Sequence, residues 1–112
     1  MHGFDDDIPL EQLVDQTVWW VCFSESSARI CFKNGDEIRI EYLLEVGQSN
    51  GMSFDELKWF LIGLPQKEVI GFLVDSRRAK FTFTEGLQLV LEDDHEDIIN
   101  FHFKIGSVDY PV

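Results

Sequence analysis

The sequence predicts an α+β domain built mainly of antiparallel β-strands, and three observations carry that expectation. The stretch "ARICFKNGDEIRIE" (Ala28 to Glu41) alternates apolar and polar residues on both sides of a turn signal. The same design returns in "AKFTFTEGLQLVLE" (Ala79 to Glu92), and only "SFDELKWFLIGL" shows sustained helical spacing. Aligned without a gap, Leu13 to Glu41 sits over Leu64 to Glu92, so that Leu13, Val18, Ala28, Phe32, Gly35 and Glu41 meet Leu64, Val69, Ala79, Phe83, Gly86 and Glu92. The expected architecture is one domain, residues 1–112, with an internal repeat at 13–41 and 64–92. It comprises two duplicated three-stranded meanders plus a seventh strand, with one or two short helices. The meanders pack face to face or continue as one strongly curved sheet.

A short helix at Pro9 to Val14, with Pro at its first turn, opens the chain. In the first strand a four-residue loop of Ser24 to Ser27 sets Phe23 opposite Ala28 and Val21 opposite Ile30. Period-two alternation then assigns Trp19, Val21 and Phe23 to the core and Val18, Trp20 and Cys22 to the outer face. Trp20 thereby lies beside Cys31 and Arg29, and a helix is expected to cover it, the alternative being exposure for a partner. The second strand turns Ala28, Ile30 and Phe32 inward, and the third turns Ile38, Ile40, Tyr42, Leu44 and Val46 inward.

The turn between them decides the register. A two-residue Asn34-Gly35 turn would set Phe32 opposite Glu37 and mix the faces. A three-residue Lys33-Asn34-Gly35 loop with Gly35 left-handed sets Ile30 opposite Ile38, and Thr84-Glu85-Gly86 sets Phe81 opposite Leu89. Between the copies, Ser53 three residues before Glu56 forms a capping box for a helix whose stripe is Phe54, Leu57, Leu61 and Leu64, closed by Gly63 and Pro65. After the second copy, "IINFHFKI" is the seventh strand, with Ile99, Phe101, Phe103 and Ile105 inward and Asn100, His102 and Lys104 outward.

With 45% apolar residues, ten Phe and three Trp in 112 residues, the chain can bury an ordinary core. Twenty-one acidic against nine basic residues leave a formal charge of -12. Nucleic acid and anionic membrane surfaces are thereby excluded as direct partners, since both need Lys and Arg to displace counterions. No apolar run approaches the roughly 18 residues of a membrane span, and the acidic "MHGFDDDIPL" does not read as a signal peptide, so the expected compartment is the cytoplasm. Cys22 and Cys31 have no metal-ligand spacing and are expected to be reduced thiols.

No Ser-His-Asp, Cys-His or G-x-S-x-G arrangement is visible, so the reading is not of an enzyme, and no cofactor is implied. "EDDHED" (Glu92 to Asp97) fits neither an EF-hand nor a zinc site and reads as an acidic turn rather than a metal centre. Its five carboxylates within six residues repel one another, a cost that local structure does not explain. Asp5, Asp6 and Asp7 form a second acidic group; Asp55 and Glu56 form a third, accounted for by the helix dipole.

A small acidic, aromatic-rich domain with duplicated "V…F.NG..I.IE" meanders and no catalytic set resembles the immunity proteins of bacterial contact-dependent growth inhibition and related polymorphic toxin systems, over about Leu10 to Ile105. The resemblance implies a protein that binds and neutralises a cognate basic toxin domain, often a nuclease. That class holds many folds, so no binding residue carries over, and the candidate partner surface rests on charge: Glu92, Asp93, Asp94, His95, Glu96, Asp97, Asp55 and Glu56, with Trp20. When free, the protein is expected to be a monomer or weak dimer. The competing reading is a non-enzymatic adaptor or structural subunit that assembles through the outer face around Trp20 and Val90.

Overall fold

In the computed structural model, which describes residues 8–75, 77–93 and 101–112, the strands form where alternation is strictest. Pro9 precedes a 3-10 helix, Leu10–Leu13, that buries Leu10 and Leu13. The first meander is β1 (Val18–Phe23), β2 (Ala28–Phe32) and β3 (Glu37–Ile40); two helices follow, α1 (Leu43–Ser49) and α2 (Phe54–Ile62). The second meander is β4 (Val69–Val74), β5 (Arg78–Phe83) and β6 (Gln88–Glu92), and the chain continues through β7 (Phe101–Ile105) and β8 (Val108–Pro111). Antiparallel pairing builds a five-stranded sheet, β1-β2-β3-β7-β8, and a three-stranded sheet, β4-β5-β6. The fold is α+β and mainly antiparallel β, with one strand more than expected, because the short β8 returns along β7 from a turn at Gly106 and Ser107.

The two meanders share register position by position. Val18 pairs with Phe32 and Trp20 with Cys31 across a bulge; Val69 pairs with Phe83 and Gly71 with Thr82 across the same bulge. Ile30 opposes Ile38 and Phe81 opposes Leu89, as the three-residue loops require, with Gly35 at φ 96° and Gly86 at φ 78°. The second loop departs from the first in being a 3-10 turn, with Glu85 also left-handed at φ 70°. Where the meanders meet, the hydrogen bonds come in exchanged pairs. Val18 N donates to Lys67 O and Val69 N to Gln16 O, while Asp15 N donates to Val69 O and Gln66 N to Val18 O. Thr17 bridges its own counterpart Glu68, and Asp15 and Gln66 both sit at φ 73°. This seam therefore has local two-fold character.

Inward residues of both sheets form one core that includes Ile30, Ile38, Ile40, Phe81, Phe83, Leu89 and Leu91, and the Phe81 and Phe103 rings, 6.1 Å apart, join the sheets across it. The α2 stripe behaves as its spacing predicts: Leu57, Leu61 and the following Leu64 are fully buried and Phe54 packs against the core. The capping box is formed, with Glu56 N donating to Ser53 Oγ and Ser53 N donating to Glu56 Oε1. At the free side of β6, the Asn50 amide after α1 donates to Val90 O and accepts from Val90 N, closing a sheet edge that would otherwise present open backbone groups.

Three expectations are corrected. The third strand stops at Ile40, and Leu43–Ser49 is helical, burying Leu43, Val46 and Gly47 while leaving Tyr42 and Leu44 exposed. Helical spacing of the buried residues there wins over a strand alternation that Tyr42 and Leu44 only appear to continue. In β1, Val18 is buried and Trp19 exposed, the reverse of the simple alternation. The bulge inserts a residue between Val18 and Trp20 and shifts the phase before it, while Val21 and Phe23 keep their places opposite Ile30 and Ala28. The expected helical cover of Trp20 is absent, for Trp20 is 50% exposed. Ile99 and Asn100 lie outside the described residues.

Candidate functional site

β1 presents two large aromatics to water at its bulge. Trp19 is 51% and Trp20 50% exposed, and their rings meet edge to face, 5.6 Å apart at 75°. Trp20 stands opposite Cys31, itself paired across β2 and β3 with Glu37. Together with Lys33 and Gly35 these side chains line an open cavity of about 270 Å³. Burial pushes the Cys31 thiol above its ordinary value, a hydrogen bond from Trp20 pulls it back, and the Glu37 carboxylate adds to the rise. Both cysteines are free thiols, as expected.

The acidic candidates fall on different elements. Glu92, at the end of β6, accepts from Arg78 Nη2 at 2.9 Å. Asp93, expected in a solvated turn, is fully buried. Its N–H donates to Arg77 O at 2.7 Å, and Arg77 Nη1 lies 3.4 Å from its carbonyl and 3.9 Å from its carboxylate. Asp94, His95, Glu96 and Asp97, like Asp5, Asp6 and Asp7, lie outside the described residues. Asp55 and Glu56 occupy the first turn of α2. Glu56 is engaged by the cap: the Ser53 backbone N–H, then the Ser53 hydroxyl, hold its carboxyl below the ordinary carboxylate value. Of the charge-selected residues, Glu92, Asp93 and Glu56 thus already serve local structure.

Trp19 was not among the sequence candidates because the bulge that exposes it cannot be read from alternation alone. The aligned residue, Ile70, is also half-exposed at the equivalent bulge of β4, a correspondence that the structure reveals and the sequence does not mark. Among the described residues no cluster of three or more His, Cys, Asp or Glu side chains has metal-binding geometry. His102, on the outer face of β7, stands 3.3 Å from Asp109 and 3.9 Å from Glu41. Among the described residues no helix is long and apolar enough to cross a membrane. Comparison with family models, with curated proteins and with solved structures finds no match.

Proposed function

We propose that this protein is a non-catalytic inhibitor of a basic protein domain, an immunity protein acting in the cytoplasm, and that it docks through the surface around Trp19 and Trp20. The observation that carries the reading is the pair of half-exposed indoles at the β1 bulge of a chain with formal charge -12. Tryptophans are the residues on which protein interfaces most often concentrate their binding energy, and leaving two adjacent ones half in water is unfavourable without a partner. The acid excess adds the long-range part: it attracts a cationic domain and speeds encounter, while the indoles hold the complex once formed.

The test begins with capture of a basic partner from the source cell and its purification. Trp20→Ala should then weaken binding by about 30-fold or more, the effect of losing an interface anchor worth about 2 kcal/mol or more, with the circular dichroism spectrum unchanged. Reversing Asp94, Glu96 and Asp97 together should slow association and flatten its salt dependence. Unchanged affinity in both variants would refute the reading.

The competing reading, a subunit or adaptor, draws support from Ile70, Leu73 and Val74, three apolar residues of β4 that are each about half-exposed or more. A stable oligomer of the lone protein in size-exclusion chromatography would favour it.

A further inference from the structure

The outer face of the five-stranded sheet holds two arginines that the proposed docking surface does not use. Arg29 on β2 and Arg39 on β3 are directly opposed partners. Like charges in that position destabilise a sheet unless something lies between them. A single carboxylate oxygen serves both: Glu37 Oε1 is 3.8 Å from Arg29 Nη1 and 3.4 Å from Arg39 Nη2. Arg39 Nε is shielded from water and has no hydrogen-bond partner among the described residues. The neighbouring acids do not relieve the pair, since Glu41 and Asp109 stand against His102 on the next strand. Arg29 and Arg39 line an open cavity of about 300 Å³ at the β1-β2 hairpin together with Phe23, Ala28, Ser24 and Ser27, the two serine hydroxyls being hydrogen-bonded to each other.

The second meander supplies an internal comparison. Leu73, Val74, Asp75, Arg78, Lys80 and Val90, the aligned counterparts of Cys22, Phe23, Ser24, Ser27, Arg29 and Arg39, line a cavity of about 290 Å³ at the β4-β5 hairpin. There the second cation is replaced by Val90, and Asp75 brings a carboxylate where the first copy has Ser24. Arg78 is bound to Glu92 at 2.9 Å. The same backbone thus tolerates valine in place of Arg39, so the opposed arginines are not a demand of the fold.

We infer that the cleft between Arg29 and Arg39 is a binding site for an oxyanion of carboxylate or phosphate type. The planar guanidinium donors match such a group bidentately, the Ser24 and Ser27 hydroxyls can turn to donate, and the apolar wall of Phe23 and Ala28 strengthens each bond by lowering the local dielectric. The cleft adjoins the Trp19 and Trp20 cavity through Glu37, and the assignment does not rest on the toxin-neutralising reading.

The experiment follows the arginine Nε–Hε resonances of the full chain by NMR, with sodium phosphate and sodium acetate titrated separately at constant ionic strength against sodium chloride. Saturable shifts of Arg29 and Arg39, with Arg78 unmoved, are expected from at least one of the two anions. Phosphate saturating alone would assign the site to a phosphate group; acetate saturating alone would assign it to a carboxylate, as a partner's Asp or Glu presents. Arg39→Val, which copies the second meander and should fold, is expected to weaken the binding at least about tenfold, read at Arg29. Shifts no larger than those of chloride, or saturation that survives Arg39→Val, would overturn the assignment.

Discussion

At the scale of single residues, the turn between β2 and β3 shows how one backbone angle sets the positions of many side chains. Gly35 at φ 96° lets three residues close the hairpin, and the Asn34 side chain accepts from Asp36 N, holding the loop in that shape. No atom lies within 4 Å of a Cβ added at Gly35 or at Gly86, so the obstacle to substitution there is conformational rather than steric. Gly35→Val and Gly86→Val should each lower stability by about 1 kcal/mol or more in urea unfolding, because a β-branched residue resists the left-handed region. The cysteines differ in a way that chemistry can read. With its thiol pushed up by burial, Cys31 keeps its proton to higher pH when folded than when unfolded. Its contribution to stability is therefore complete below the unfolded value and is lost as pH rises through the folded one. At neutral pH a thiol reagent should modify the exposed Cys22 before Cys31, and raising the pH should close the gap; equal rates at pH 7 would contradict this burial argument.

At the scale of elements, two side chains fasten parts of the fold that strand pairing leaves loose. Asn50 forms a strand-like pair of hydrogen bonds with Val90 and also donates to Val46 O, fixing the end of α1 to the edge of β6. Asn50→Asp has the same shape but loses the donors, leaving Val90 O and Val46 O facing a carboxylate. It should cost about 1–3 kcal/mol in chemical denaturation, and amide exchange at Val90 should quicken. Asp36 links the β2-β3 hairpin to the β7-β8 turn. Its buried carboxylate accepts from Gly106 N and from Asn34 Nδ2, each at 3.0 Å. Asp36→Ala removes that acceptor and should destabilise by about 1–3 kcal/mol, measured by thermal melting, with the largest amide shifts at Gly106.

For the whole molecule, charge is sorted by place. Among the described strands the basic Arg29, Arg39, Arg78, Lys80 and Lys104 outnumber the acidic Glu37, Glu92 and Asp109, whereas the helices carry Glu11, Glu45, Asp55 and Glu56 against Lys58, and in the connecting segments acids such as Asp15, Glu25, Glu41, Glu68 and Asp75 outnumber Lys33, Lys67 and Arg77. The excess of carboxylates that draws a cationic domain therefore lies mainly on the helices and connecting segments. This sorting also separates carboxylates that can be tested for binding from those that cannot. Asp93→Lys puts an ammonium at a fully buried position and should unfold the protein, several kcal/mol being the cost of an unmatched buried charge. Glu92→Lys breaks a surface pair whose Arg78 partner is more than half exposed, and should change stability by only about 0–1 kcal/mol. Thermal melts of the two variants side by side check the contrast, and equal melting temperatures would contradict it.

The fold class and most strand registers follow from local patterns, because alternation, turn glycines and a capping box act through physics that reaches only a few residues. Ile30 opposite Ile38, Phe81 opposite Leu89 and the α2 stripe were all legible in this way. The register that pairs Ile30 with Ile38 also pairs Arg29 with Arg39, so half of the oxyanion cleft was present in the sequence. The remaining features depend on contacts between parts of the chain far apart in sequence. The bulge in β1 shows in no alternation pattern, so Trp19 emerged only once Val18 was seen packed opposite Phe32. Asp93 reads as one more acid in a run, and its burial beside Arg77 depends on how the β4-β5 hairpin meets the end of β6. The end of β3 at Ile40 was settled the same way, because the helix that follows gains its stability from burying Leu43 and Val46 against residues distant in the chain. Burial and charge pairing are properties of the assembled fold, and neighbouring residues alone do not specify them.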